Sequence, residues 1–264
     1  MSEAIKAAPK RSTAPAPPAG WAFFLDVDGT LLEHTDDPRG VRVGAPLLEL
    51  LEQLLAESGG AVAMISGRSV EDVERLFAPL AFPVAGQHGT ERRSADGVLH
   101  RHNPPLKLLG RAAAELVRLT AAHSGLVVEN KGMVLALHYR RAPELAALAE
   151  REMRAIAASL GDAFELLGGK LVYEIKPSGK DKGSAIAEFM AERPFKGRLP
   201  VFLGDDLSDE YGFEVVNRLG GYSIKVGAGP SRARWRLQGA AAVQAWLRSC
   251  IAHGGAGTLK GAAR

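Results

Sequence analysis

The chain has 264 residues, 46% hydrophobic and 24% charged, with a formal net charge of +3 and one cysteine, Cys250. This balance excludes a wholly disordered or disulfide-rich chain, and no apolar run reaches the ~18 residues expected of a membrane span. The excess charge sits at the ends: residues 1–20 and 255–264 carry +2 each and leave the body at −1, which argues against a nucleic-acid-binding surface.

Residues 1–20 place Lys6, Lys10 and Arg11 among four prolines without a central apolar segment. They read as a disordered tail rather than a signal peptide. Residues 255–264 read as a flexible C-terminal tail. A lone cysteine suits a reducing compartment, so a cytoplasmic location is expected.

Trp21 to Leu25 is a short apolar run that reads as a buried strand. It ends in Asp26-Val27-Asp28-Gly29-Thr30. Residues i and i+2 share a side of an extended chain, so Asp26 and Asp28 converge, although Asp-x-Asp-Gly also suits a plain polar turn. Pro46 to Glu57 has leucines at helical spacing, stopped by Gly59-Gly60. Ala61 to Ile65 is a second strand. Ser69 with Asp72 marks a helix start before Val73, Leu76 and Phe77. Pro83 to Gly86 is a third strand. Strand, helix, strand, helix, strand predicts a parallel sheet with crossover helices.

The pattern then changes. Leu106 to Ala122 reads as a helix. Leu126 to Glu129 and Met133 to Arg140 read as a hairpin around Asn130-Lys131-Gly132. Pro143 to Leu160 is a helix stopped by Gly161. Phe164 to Leu167 and Lys170 to Ile175 form a hairpin across Gly168-Gly169. This is an inserted α+β module with an antiparallel sheet, placed at residues 104–177. Asn103-Pro104-Pro105 and Pro177-Ser178-Gly179 read as its hinges. The βα alternation then resumes: helix Lys182 to Glu192, strand Leu199 to Leu203, helix Ser208 to Arg218, strand Tyr222 to Val226 and helix Ala240 to Ala252. The parallel-sheet core is thus expected from residues 21–103 and 178–254.

Four signals fall at ends of core elements, where open α/β sheets place ligands. Asp26/Asp28 is the first. Ser66-Gly67-Arg68 is the second, a hydroxyl and backbone N–H groups before a helix that suit a phosphate. Lys182 at a helix start is the third. A cation there opposes the helix dipole and gains nothing locally, which points to use elsewhere such as neutralising a phosphoryl group, the alternative being a solvated lysine among Lys176 and Lys180. Gly204-Asp205-Asp206-Leu207-Ser208-Asp209-Glu210 is the fourth. Clustered carboxylates repel without a cation, and hard oxygen ligands without Cys or His favour Mg²⁺ over zinc. Some of these acids also suit a helix N-terminus.

Asp-x-Asp-Gly-Thr, then Ser, Lys and Gly-Asp-Asp in this order resemble the haloacid dehalogenase-like hydrolase superfamily over residues 21–252. The resemblance implies α/β architecture with a Rossmann-like parallel-sheet hydrolase core and an inserted α+β cap domain. It implies Asp26 as phosphoryl-accepting nucleophile, Asp28 as acid and base, and Ser66 and Lys182 as phosphoryl-oxygen contacts. It also implies Mg²⁺ on Asp26, Asp205 and the Asp28 carbonyl, with Asp206 and Asp209 orienting ligands or bound water around it.

Gly86-Gln87-His88-Gly89-Thr90-Glu91, Val128-Glu129-Asn130-Lys131, Leu137-His138-Tyr139-Arg140 and Val172-Tyr173-Glu174-Ile175-Lys176-Pro177 resemble the trehalose-6-phosphate phosphatase family in particular. Gly179-Lys180-Asp181-Lys182-Gly183 and the Gly204-Asp205-Asp206 stretch also fit. The latter carries Ser208 where the family more often has Thr, so a hydroxyl is kept. The resemblance implies a sugar-phosphate substrate, cap contacts from Glu129, Lys131, His138 and Glu174, and core-side candidates Arg68 and His88. It implies a role in trehalose biosynthesis, linked in function to a separate trehalose-phosphate synthase, with no nucleic-acid or membrane partner. Other sugar phosphatases, a phosphomannomutase and a non-catalytic sugar-phosphate sensor remain open at this stage.

Overall fold

The computed structural model describes residues 14, 20–35, 40–102, 105–169 and 171–254. The predicted tails, apart from Ala14 and Gly20, the 103–104 part of the first predicted hinge and Lys170 lie outside the described residues. The chain forms two compact units. One comprises the described residues through His100, Asp181–Asp205 and those from Asp209 onward; the other comprises Arg101–Lys180 with Asp206–Ser208.

The first unit is built on strands β1 (Trp21–Leu25), β2 (Val62–Ile65), β3 (Val84–Gly86), β4 (Glu91–Arg93) and β5 (Leu99–Arg101). Its helices so far are α1 (Ala45–Glu57) and α2 (Val70–Phe77). The second unit contains α3 (Leu106–Ala122), β6 (Val127–Asn130), β7 (Leu135–His138), α4 (Ala146–Ser159), β8 (Phe164–Gly169) and β9 (Val172–Pro177). The chain then returns to the first unit with α5 (Lys182–Met190), β10 (Leu199–Gly204), α6 (Asp209–Arg218), β11 (Tyr222–Val226), β12 (Trp235–Leu237) and α7 (Ala240–Gly254).

The large sheet has the order β12-β11-β10-β1-β2-β3-β4-β5. Its strands are parallel from β12 to β3, and β4 runs antiparallel to β3. Every residue of β1 is buried, as in an interior parallel strand covered on both faces. Trp21, Phe23 and Leu25 point into one core with Leu50, Leu51 and Leu54 of α1, Val73 and Phe77 of α2, and Val243 and Leu247 of α7. Ala22 and Phe24 point into the other with Ile186 and Phe189 of α5 and Phe213 and Val216 of α6. Each such Leu or Phe contributes roughly 1.5–3 kcal/mol on burial.

From β1 the chain steps to β2 and β3 on one side, and later to β10 and β11 on the other. The reversal between β1 and β10 is a topological switch point, and the carboxyl ends of parallel strands open there. Asp26, Ser66 and Asp205 directly follow β1, β2 and β10, so the topology alone sets them at one end of the sheet.

The second unit is an antiparallel sheet ordered β6-β7-β9-β8. One face packs Leu135, Leu137, Phe164 and Ile175 against Leu109 and Leu116 of α3 and Met153 and Ile156 of α4. The register sets Glu129 opposite Ala136, Ala136 opposite Glu174, and His138 opposite Val127 and Val172. Paired residues share a face, so Glu129, His138 and Glu174 stand together on the face away from those helices.

Several boundaries differ from expectation. β6 runs on through Asn130, while β7 spans only Leu135–His138, so Tyr139 and Arg140 lie outside the strand. Gly168 and Gly169 pair with Tyr173 and Val172 and therefore belong to β8 rather than to a turn. Pro143–Leu145 is a separate 3₁₀ turn before α4. Strands β4, β5 and β12 have no counterpart in the periodicity reading. Among the described residues, no helix is long and apolar enough to cross a membrane.

Candidate active site

At the head of β1, Asp26 is buried and its Oδ1 accepts a hydrogen bond from Lys182 Nζ at 2.8 Å. Lys182 is the first residue of α5, whose start is fixed by a capping box between Asp181 and Ser184. The same ammonium donates to Asp209 Oδ1 at 2.7 Å, and Asp209 Oδ2 accepts the Asp205 N–H at 2.9 Å. Asp209 itself is fully buried in the first turn of α6. Asp26, Asp205 and Asp209 each offer a ligand oxygen, all within 4.8 Å of one another.

This arrangement is electrostatically unbalanced. Burial pushes the Asp26 carboxyl well above the usual carboxylate range; Lys182 pulls it back, and Asp209 and Asp205 push it further up. Burial works against the Lys182 charge too, but Asp209 and Asp26 beside it hold the ammonium above the ordinary lysine range. Two buried carboxylates thus share one ammonium, with the Asp205 carboxylate alongside them. Asp26 Oδ2 is buried without a hydrogen-bond partner among the described residues. A buried carboxylate oxygen left bare is costly, and an all-oxygen acidic cluster is the donor set a hard divalent cation takes. The residues present therefore fit Mg²⁺.

Asp28 lies close by in sequence but is not part of this cluster. Its two oxygens accept from Arg68 Nε and Nη2, both at 2.7 Å, in a bidentate pair. Arg68, expected to face substrate, is thus held on the acid/base candidate. Ser66 is buried after β2, and its Oγ accepts the Arg68 N–H at 3.1 Å.

The loop after β3 shapes this segment. Gln87 and His88 both adopt left-handed conformations, at φ 47 and 58. Their N–H groups donate to Arg68 O at 2.7 Å and Ser66 O at 3.0 Å. A β-carbon on Gly67 would come within 2.9 Å of the His88 ring, so the two loops are in close contact. Such strain persists only where surroundings over-determine it, and here it clamps the Ser66–Arg68 turn. His88 thereby braces a loop. Glu91 accepts the Val70 N–H at 2.8 Å, satisfying an open donor at the start of α2.

Asp206 stands apart from the three-carboxylate group. It groups with the second unit and accepts the Leu207 N–H. In that unit Lys131 Nζ donates to the buried Glu174 at 2.8 Å, and His138 Nε2 meets Glu129 Oε2 at 3.0 Å. His138 holds the Glu129 carboxyl below its usual range, against partial burial. All four sugar-contact candidates are therefore paired with one another.

Two residues absent from the sequence reading touch the site. His34 Nε2 lies 2.8 Å from Asp205 Oδ2, and the buried Lys225 of β11 donates to the Asp205 carbonyl. Neither sits in a recognisable motif; only the fold brings them there.

A family model described as trehalose-phosphatase matches residues 24–241. A trehalose-6-phosphate phosphatase of Escherichia coli (strain K12) is 45% identical over 251 residues, covering 94% of this chain and 90% of its own length. A probable trehalose-phosphate phosphatase of Sinorhizobium fredii is 42% identical over 207 residues, 78% of each chain. Among solved structures, the C-terminal domain of C. albicans trehalose-6-phosphate phosphatase matches with TM-score 0.81 at 21% identity. The match covers 89% of this chain and 93% of that one, a likeness of fold. A trehalose-6-phosphate phosphatase related protein matches with TM-score 0.75 at 26% identity, covering 90% and 100%.

Proposed function

The chain belongs to the trehalose-phosphatase family, and from that premise we propose that it hydrolyses trehalose 6-phosphate to trehalose and phosphate through an aspartyl-phosphate on Asp26. The observation that carries this reading is the buried Asp26 carboxylate, with Oδ1 on Lys182 and Oδ2 uncommitted. An Asp26 oxygen attacks phosphorus, and the bond from phosphorus to the sugar oxygen breaks. Asp28 gives that oxygen its proton, then takes one from the water that attacks the aspartyl phosphate. Phosphate leaves and the Asp26 carboxylate returns. Arg68 aligns Asp28 and must yield one of its two oxygens for the proton to move.

A carboxylate approaching a phosphate dianion meets charge repulsion. Lys182 offsets part of it and Ser66 contributes a donor to the phosphoryl oxygens. Asp26, Asp205 and the Asp28 carbonyl would hold Mg²⁺, which when bound supplies the remaining positive charge. Asp209 keeps Lys182 and the Asp205 main chain in place. We assign sugar-hydroxyl recognition to Glu129, Lys131, His138 and Glu174. A separate trehalose-phosphate synthase would supply the substrate.

Phosphate release from trehalose 6-phosphate, sucrose 6-phosphate, mannose 6-phosphate and glucose 6-phosphate with Mg²⁺ tests this. A clear preference for trehalose 6-phosphate is expected, with turnover abolished in a folded Asp26→Asn variant. Equal release from all four would withdraw the substrate assignment, and an active Asp26→Asn variant would withdraw the nucleophile.

A further inference from the structure

We infer that His34 is a positioning residue for the cation site, holding the Asp205 side chain in the orientation that coordination requires. The inference rests on the reading of Asp205 as a metal ligand. Asp205 is anchored at three points. Its N–H donates to Asp209 Oδ2 at 2.9 Å, its carbonyl accepts from Lys225 and its Oδ2 meets His34 Nε2 at 2.8 Å. The first two anchors fix the main chain and leave both side-chain torsions free. Among the described residues, the imidazole is the one group that hydrogen-bonds the carboxylate itself. With Oδ2 committed, Oδ1 is the oxygen left for a cation, so His34 sets which atom of Asp205 coordinates.

Packing supports the same role. A β-carbon built on Gly29 would lie 2.2 Å from Asp205 Oδ2 and 2.5 Å from His34 Nε2. The His34–Asp205 contact is therefore seated directly on the backbone of the loop that carries Asp26 and Asp28. Gly29, with φ +85, also adopts a conformation that favours glycine. The bond joins residues 171 apart in the chain and ties the β1 loop to the end of β10. The imidazole is partly buried, with 28% of its side chain exposed, so the bond is shielded more than a surface pair. A hydrogen-bonded partner that orients a ligating carboxylate typically changes metal affinity by about 10–100-fold.

Mn²⁺ is the probe, titrated into metal-free protein and followed by the electron paramagnetic resonance signal of the free ion. Circular dichroism melting in EDTA confirms that each variant folds. His34→Ala is expected to weaken Mn²⁺ binding by about 10–100-fold. His34→Asn, which keeps an N–H donor near the same place, is expected to recover most of that loss, with His34→Gln as the alternative should Asn disturb the loop. Asp205→Asn is the control on the underlying reading. Mn²⁺ affinity within twofold of the parent in His34→Ala, together with a large loss in Asp205→Asn, overturns the role of His34 alone. Donor variants as weak as His34→Ala overturn it as well. Undiminished binding in Asp205→Asn overturns the metal-ligand reading, and the inference with it.

Discussion

At the head of β1, Asp26 and Asp209 are both buried within hydrogen-bond reach of the buried Lys182. In the unit of the β6–β9 sheet, Lys131–Glu174 and His138–Glu129 form two neighbouring pairs, the second half-exposed. The first cluster is assembled from elements distant in sequence and depends on backbone detail. A β-carbon at Gly204 would lie 2.3 Å from the Asp209 side chain. The second follows from strand alternation and register for Glu129, His138 and Glu174, with Lys131 in the loop after β6. Buried, unbalanced charge makes the first cluster sensitive to any change of charge, in either direction, whereas changes in the second carry smaller energies.

Lys182→Met gives the widest separation between the two regions. It strips the ammonium from two buried carboxylates, and breaking such a buried pair costs about 3–5 kcal/mol. Denaturant unfolding at neutral pH should show that loss, and phosphate release should vanish. A loss under about 1 kcal/mol would put the first cluster in the energetic class of the half-exposed His138–Glu129 pair.

Asp26→Asn should abolish turnover yet raise stability in EDTA at neutral pH. Burial raises the Asp26 carboxyl in the folded state, so folding favours its protonated form. That contribution is fully present below the unfolded Asp value of ~3.9 and is lost as pH rises through the raised folded value. The amide removes the cost at neutral pH, and its advantage should shrink toward pH 4. A variant less stable than the parent at neutral pH would mean that the Lys182 attraction outweighs burial.

The contrast between the regions also explains what could be read from the chain. Asp26, Ser66, Lys182 and Asp205 stand at strand or helix ends that apolar runs announce, and the parallel sheet follows from the same runs. Strands β4, β5 and β12 are three residues each, too short to display a period, and Glu91-Arg92-Arg93 carries no apolar signal at all. Arg92 is explained only in three dimensions, by its ion pairs with Glu188 and Glu192 and its guanidinium over Phe189. The Arg68–Asp28 fork and the His34–Asp205 bond link distant segments, and no local spacing encodes them. The shared face of Glu129, His138 and Glu174 needed the register between β7 and β9, which pairs strands from different hairpins.

Lys131→Met tests the second region at its more buried pair. Removing an ammonium from the buried Glu174 should cost about 1–3 kcal/mol, less than at Lys182. KM for trehalose 6-phosphate should rise about 10–100-fold, the scale of a lost charged hydrogen bond, while hydrolysis of p-nitrophenyl phosphate, which has no sugar, stays unchanged. Equal losses on both substrates would move Lys131 from sugar recognition to phosphoryl chemistry or folding.

Glu129→Gln is the mildest perturbation and the one most sensitive to conditions. The hydrogen bond from His138 holds the Glu129 carboxyl below its usual range, so its contribution is present above the unfolded value of ~4.3 and lost as pH falls through the lower folded value. With side chains 31% and 47% exposed, the pair contributes under about 1 kcal/mol after solvent screening. Parent and variant should therefore differ slightly at pH 6 and low salt, and converge both below pH 4 and in molar salt, where the Debye length falls to ~3 Å. A difference that persisted in molar salt would show this pair to be as shielded as the buried cluster at the head of β1, and the contrast between the two regions would fail at its weakest point.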